Sequence, residues 1–309
     1  MQPCLRPAPL QPGDLLYVIA PSGALREGPA LEQGLQIWRD RGYRLKLCPG
    51  YDERWGYLAG TDQARRHQLQ LALDEPSCRG LVCLRGGYGG ARLLEAWQWP
   101  QAVKPTASAP ADPSAPWLIG FSDITSLLWS LACRGVSGVH GPLLTTLSAE
   151  PNWSVERLFD WLEGRGIAPL SGKSWVGGEA SGLLLPANLT VATHLLGTSA
   201  QPDLTNTILA LEDVTEAPYR IDRMLTQWRM TGALNGVRGI AVGRFSQCEP
   251  AANLPSFTVE EVLRDRLSDL GIPIVADLPF GHDGVNAALP VGLPVTLDGD
   301  RGLLKFEPA

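Results

Sequence analysis

The chain has 309 residues, 44% of them hydrophobic and 19% charged, with a mean hydropathy of −0.02, which excludes a disordered or fibrous chain and fits one or two globular domains. Its net charge of −6, from 26 basic and 32 acidic side chains, argues against a nucleic-acid binder, which would carry a basic face. Cys4, Cys48, Cys78, Cys83, Cys133 and Cys248 are scattered, several in apolar runs, with no CxxC or HExxH spacing, so they read as buried thiols and neither as disulfides nor as a zinc site. The segment MQPCLRPAPLQPGD lacks the apolar stretch of a signal peptide. No apolar run approaches the roughly 20 residues of a membrane span, so a cytoplasmic protein with neither membrane nor nucleic-acid partner is expected.

In chain order, residues 15–20 (LLYVIA) are an apolar run closed by Pro21, Ser22 and Gly23, a buried strand and its turn. Leu31, Leu35 and Trp38 share a stripe and predict a helix over 29–41, and 43–47 reads as a second strand. Thr61 or Asp62 caps a helix running to 73, and a strand at 80–84 leads into the glycine-rich run at 85–90. Residues 101–116, rich in Ala, Pro and Ser, predict a flexible surface loop. A strand at 117–120 is followed by Phe121, Ser122 and Asp123 and by a helix over 124–133. Strands alternating with helices imply right-handed crossovers and a parallel sheet covered on both faces, so residues 1–150 read as an α/β domain.

The stretch 151–180 holds little periodic structure beyond a helix at 154–163 and reads as the linker. Residues 181–309 then read as a second domain, α/β or β-rich. Its expected elements are a strand at 182–185, a helix at 188–196, a strand at 207–211 leading into Glu212, and an amphipathic helix at 219–231. A strand at 239–243, a helix at 259–270, a strand at 274–277 and a terminal hairpin turning near 298–300 complete it.

Ser122 follows an apolar strand and precedes a helix, where its hydroxyl would stand above the sheet edge and the first helical amides could face an oxyanion. The GxSxG elbow is not met, because Ile124 occupies the place of the second glycine. A competing reading makes Ser122 only the cap of that helix. Glycines at 86, 87, 89 and 90 let the backbone approach a ligand closely, although Arg92 breaks a dinucleotide-binding fingerprint and such a turn is as often purely structural. Residues 171–174 (SGKS) imitate a phosphate loop but have Ile167 where its earlier glycine belongs, and read as a decoy.

A serine nucleophile needs a base. His67 lies on a polar helix and reads as solvated, whereas His194 lies among apolar neighbours and reads as a core residue. His140, at a strand end before Gly141, and His282, between Gly281 and Asp283 in a loop after a strand, are equal contenders on the residues alone. The Glu212 carboxylate emerges beside an apolar strand and demands a partner, either the imidazole or an arginine such as Arg220 or Arg223. Asp213 is the adjacent alternative.

LRGGYGG at 84–90, IGFSDITSLL at 119–128, VHGP at 139–142, ANLTVATHLL at 187–196, LEDVTEAPYRIDRML at 211–225 and PFGHD at 279–283 follow one another along nearly the whole chain. In that order they resemble the LD-carboxypeptidases, a serine peptidase family that also includes the microcin C self-immunity hydrolases. The resemblance implies an N-terminal nucleophile domain and a C-terminal domain carrying the rest of a triad: Ser122 the nucleophile, Glu212 the acid, His282 the base. It implies oxyanion amides from Asp123 and from the glycine-rich turn at Gly87, and leaves His140 a structural role. It further implies a homodimeric enzyme, without metal or cofactor, that releases the terminal D-alanine of murein tetrapeptides in cell-wall recycling.

A carboxypeptidase must also recognise a free carboxylate, which Arg85, with Tyr88 beside it, or an arginine of the 219–223 segment could do. Rival readings are the same triad acting on acyl-nucleotide conjugates, a two-lobed binding protein without catalysis, and a metallohydrolase. The loop at 101–116 is longer than in typical members, and Trp97, Trp99, Trp129 and Trp228 read as core or interface anchors.

Overall fold

The computed structural model describes residues 1–26, 28–100, 115–250 and 255–307, so the predicted loop at 101–116 lies almost wholly outside the described residues. In the first half, β1 (Leu15–Ile19), α1 (Gly28–Asp40), β2 (Arg44–Leu47), α2 (Asp62–Leu73), β3 (Cys78–Cys83), α3 (Gly90–Leu94), β4 (Trp117–Gly120), α4 (Thr125–Ala132) and β5 (Val139–His140) alternate as their apolar periods require. The stripe of Leu31, Leu35 and Trp38 is buried on α1, and α2 begins at Thr61, whose side chain accepts the Ala64 N–H. These five strands pair in parallel in the order β5-β4-β3-β1-β2. Strand order reverses on either side of β1, which opens a crevice at the carboxyl ends of the strands. The turn after β1, the glycine-rich turn after β3 and Ser122 after β4 all leave the sheet at that edge.

α5 (Asn152–Leu162), the helix expected at 154–163, leads into two short strands, β6 (Leu170–Ser171) and β7 (Lys173–Val176), inside the stretch that sequence reads as a linker with little further periodic structure. Both are sheet-edge strands, and Ser171, Lys173 and Ser174 are exposed, so no alternation of apolar and polar residues announces them. The SGKS run is therefore strand edge, with Gly172 packed against the backbone of residue 276.

β8 (Glu179–Asn188), α6 (Leu189–Leu195), β9 (Thr207–Val214), α7 (Pro218–Met230), β10 (Gly239–Ser246), α8 (Val259–Leu267), β11 (Ile274–Ala276), β12 (Leu289–Pro290), β13 (Pro294–Asp298) and β14 (Leu303–Phe306) follow. The second sheet has the order β6-β14-β13-β8-β9-β10-β11-β7, parallel in the middle and antiparallel at both flanks. β9 runs on past residue 211, so Glu212 lies within the strand, opposite Asn188.

β12 belongs to the first sheet, where Leu289 pairs with His140 on β5. The chain thus returns to its first half directly after the His282 loop. One apolar core also joins the sheets, from Tyr17 and Ile19 through Leu127, Leu128 and Trp129 of α4 to Leu185, Leu209 and Ile240. Trp129 and Trp228 meet edge to face there at 6.4 Å, and Trp129 Nε1 donates to the Pro186 carbonyl at 3.1 Å. Among the described residues no helix is long and apolar enough to cross a membrane.

Candidate active site

Between β4 and α4 the backbone turns so sharply that Ser122 takes φ 64°, a region that a side chain other than glycine occupies only under constraint. Its hydroxyl caps nothing, and Ser122 Oγ has no hydrogen-bond partner among the described residues, so the capping reading fails. The elbow forms without GxSxG because other glycines make the room. A Cβ at Gly120 would stand 3.0 Å from Cys83 Cβ and from Ile124 Cγ1, so its absence is what lets Ile124 sit where the motif has glycine. Gly86 lies against the serine itself, where a Cβ would meet Ser122 Cβ at 3.0 Å and Oγ at 3.1 Å.

Asp123 fixes the glycine-rich turn to this elbow. Its buried carboxylate accepts the Ser22 Oγ–H at 2.5 Å and the Gly90 N–H at 2.7 Å. Burial pushes its carboxyl up, against the pull of those two bonds, of Arg65 and of the Gly89 backbone. Arg65, wholly buried, donates to the carbonyls of Pro21 and Gly89 and pairs with Asp62, holding the turn after β1 to the turn after β3. Gly87 takes φ 111°, and its N–H has no partner among the described residues. The Asp123 N–H stands at the start of a 3-10 turn, Ser122–Ile124, where no intrahelical acceptor exists. The two predicted oxyanion donors thus follow directly on Gly86, which touches the serine side chain, and on Ser122.

From the second sheet, His282 Nδ1 reaches Glu212 Oε2 at 2.6 Å; the glutamate is wholly buried and the imidazole 18% exposed. The other Glu212 oxygen accepts Asn188 Nδ2–H at 3.3 Å. Asn188 also donates to Asp213 Oδ1 at 3.0 Å, and its backbone N–H donates to Thr125 Oγ1 on α4 at 3.0 Å. It therefore ties the acid to the helix that follows the serine, a function sequence reasoning missed. Its only signal there is its place at the start of α6, where Oδ1 accepts the Val191 N–H at 3.1 Å.

Asp213 serves its own surroundings: it accepts the N–H and Oγ1–H of Thr190, each at 2.8 Å, and burial, then the neighbouring Glu212 charge, push its carboxyl up to about 6. Arg220 pairs with Glu216 at 3.5 Å and Arg223 lies over the Tyr219 ring, so the arginine partner considered for Glu212 is replaced by His282.

Burial pulls the His282 pKa down, but the charge and hydrogen bond of Glu212, with Asp213 and Asp283, outweigh it and leave the imidazole above its ordinary value. Its ring packs on Phe121, the residue before Ser122, with centroids 4.5 Å apart. The acid–imidazole pair of one sheet is in this way brought to the serine elbow of the other. His140 lies beyond the same phenylalanine, centroids 5.9 Å apart, with both ring nitrogens buried and unpartnered and its pKa lowered to about 4 by burial. It is neutral and outside the Glu212 hydrogen bonds. His67 is exposed, as expected. His194 is exposed too, against expectation, because α6 turns Leu189, Ala192, Thr193 and Leu195 inward instead.

Arg85 is half-buried and Tyr88 is 52% exposed on the glycine-rich turn. Among the described residues no group of three or more His, Cys, Asp or Glu could hold a metal ion.

The N-terminal domain model of the LD-carboxypeptidases matches residues 16–141, and the C-terminal domain model of the same family matches residues 181–297. A putative carboxypeptidase of Synechocystis sp. is 59% identical over 302 residues, covering 98% of this chain and 97% of that protein. The murein tetrapeptide carboxypeptidase of Pseudomonas aeruginosa is 31% identical over 300 residues, covering 92% of this chain and 93% of its own length. The crystal structure of the MccF-like protein of Bacillus anthracis str. Ames superimposes with a TM-score of 0.84 over 99% of this chain and 100% of that one, at 20% identity, a likeness of fold. Two family models that divide between them most of both sheets, together with full-length relatives named as carboxypeptidases, establish that the chain belongs to the LD-carboxypeptidase family.

Proposed function

We propose that this protein is a serine LD-carboxypeptidase that cleaves the bond to the C-terminal D-alanine of murein tetrapeptides. The observation that carries the reading is the 2.6 Å contact between His282 and Glu212, delivered onto Phe121 beside a serine held at φ 64°. In this reading His282 Nε2 takes the Ser122 proton as Oγ attacks the scissile carbonyl, while Nδ1–H stays on Glu212, which fixes the tautomer and stabilises the imidazolium. The Gly87 and Asp123 amides hold the tetrahedral oxyanion. The imidazolium then gives its proton to the leaving amine of D-alanine, and water, deprotonated by His282, resolves the acyl-enzyme on Ser122.

Arg85, whose Nη1 among the described residues has only the Ala24 carbonyl at 3.3 Å, receives the substrate's terminal carboxylate, with Tyr88 beside it. Residues 1–150 supply the nucleophile and residues 181–309 the acid and base, with 151–180 between them. The P. aeruginosa relative is named for the same substrate class. A cytoplasmic homodimer completes the reading, and sedimentation velocity tests its oligomeric part.

Mass spectrometry of free D-alanine released from L-Ala-γ-D-Glu-meso-diaminopimelyl-D-Ala, by wild type and by Ser122→Ala, is the direct test. Release by wild type alone, insensitive to chelator, is expected. Release surviving in Ser122→Ala would sink the triad. Hydrolysis of an acyl-sulfamoyl nucleotide with no release of D-alanine would replace the peptide by a nucleotide conjugate.

A further inference from the structure

Where β1 and β3 end, three arginines converge on one stretch of backbone. Arg85 Nη1 donates to the Ala24 carbonyl at 3.3 Å, Arg54 Nη2 donates to the next carbonyl, Leu25, at 3.0 Å, and Arg26 follows directly in the chain. Glycines shape the seat. A Cβ at Gly23 would overlap Arg85 Nη1, and one at Gly87 would stand 3.1 Å from the same atom. The Gly23 N–H donates to the Gly86 carbonyl at 3.1 Å, so the seat is continuous with the turn that touches Ser122.

Burial and the charges of Arg26 and Arg54 outweigh the opposing pull of Asp123 and hold the Arg85 pKa below its ordinary value, so both arginines act on Arg85. Among the described residues no carboxylate lies within ion-pair distance of Arg26, Arg54 or Arg85. Among the described residues these three guanidiniums make no ion pair, although the Asp123 charge acts on Arg85; like charges at one crevice repel one another, and most of their N–H donors are uncommitted. In a chain of net charge −6 this is a local excess that an incoming anion relieves.

The terminal carboxylate assigned to Arg85 answers one of those charges and leaves two. We propose that Arg26 and Arg54 form a second anion subsite beside Arg85, which selects peptides carrying a further free carboxylate near the scissile bond. The inference rests on the peptidase reading above. A murein tetrapeptide offers such a carboxylate from two places, the side chain of the diamino acid and the α-carboxyl of the γ-linked D-glutamate.

Calorimetry on the Ser122→Ala protein compares the meso-diaminopimelyl tetrapeptide with two isosteric forms, one amidated on the diaminopimelyl side chain and one on the D-glutamyl α-carboxyl. One amide is expected to bind at least about fivefold more weakly than the parent, which identifies the source of the anion. The gap should narrow as salt rises and close to within about twofold when Arg26→Gln or Arg54→Gln is added. A merely structural loss would weaken all three peptides alike. Equal binding of the three peptides would overturn the subsite, as would binding of none. D-alanine release by wild type keeps the two ideas apart. Release without a binding gap sinks the subsite alone, whereas a gap without release sinks the peptidase reading and leaves the subsite.

Discussion

At the scale of single residues, the same buried carboxylate serves two ends. Glu212 orients His282 and lifts its pKa against the pull of burial. In the proposed mechanism His282 is the general base and must be neutral, so kcat/KM should fall as pH drops through its pKa, and the acid limb of the profile should lie above the ordinary histidine value of about 6.5. Glu212→Gln leaves burial opposed only by the Asp213 and Asp283 charges; pH–rate profiles should show that limb moved to lower pH and kcat lowered by about 10⁴. A fall in kcat with an unmoved limb would remove Glu212 from the proton chemistry.

Asp213 makes an independent prediction of the opposite kind. Its carboxyl is raised to about 6 in the folded protein against about 4 in an unfolded chain, so the native state holds that proton more tightly. Its contribution to stability is complete below pH 4 and is lost as pH rises through about 6, by at most about 3 kcal/mol. Urea unfolding across that window should show the loss in wild type and not in Asp213→Asn. On the residues alone His140 and His282 could not be separated, since one ends a strand and the other follows a strand, each beside a glycine, and only the family resemblance favoured His282. What separates them in the structure is that one imidazole meets Glu212 and the other meets no hydrogen-bond partner among the described residues, and that depends on a partner 70 residues from His282 in the chain.

At the scale of elements, the strand–turn–helix units were legible because each is local. The stripe on α1, the cap at Thr61 and the apolar runs of β1, β3 and β4 need no distant residue to be recognised. The elbow was only half legible. A search for glycine two positions after the serine finds Ile124, whereas the room comes from Gly120 and from Gly86 on the neighbouring strand's turn. Gly86→Ala tests that account. Its added methyl would press on Ser122 Cβ and Oγ, and kcat should fall about 100-fold while the melting temperature changes little. β6, β7 and β12 were illegible for the reverse reason: each is short and takes its place only against a strand far away in the chain.

At the scale of the whole molecule, the two sheets are physically continuous. The apolar core passes through α4 from one sheet to the other, Asn188 bonds to Thr125 across the same boundary, and β12 leaves the second half to complete the first sheet. Calorimetric unfolding should therefore give a single transition whose van't Hoff and calorimetric enthalpies agree; two separable transitions would show that the halves are energetically independent. The return of β12 also sets an order in time. Its partner strand β5 ends at His140, and Leu289 is made 149 residues later, so at 5–20 residues per second the growing chain carries that open strand edge for roughly 7 to 30 s. Over nearly all of that interval the serine is already made and its histidine is not. In the proposed mechanism a chain still being translated is thus a hydrolase without a base, until one short stretch, from His282 to Leu289, both closes the exposed edge and arms the nucleophile.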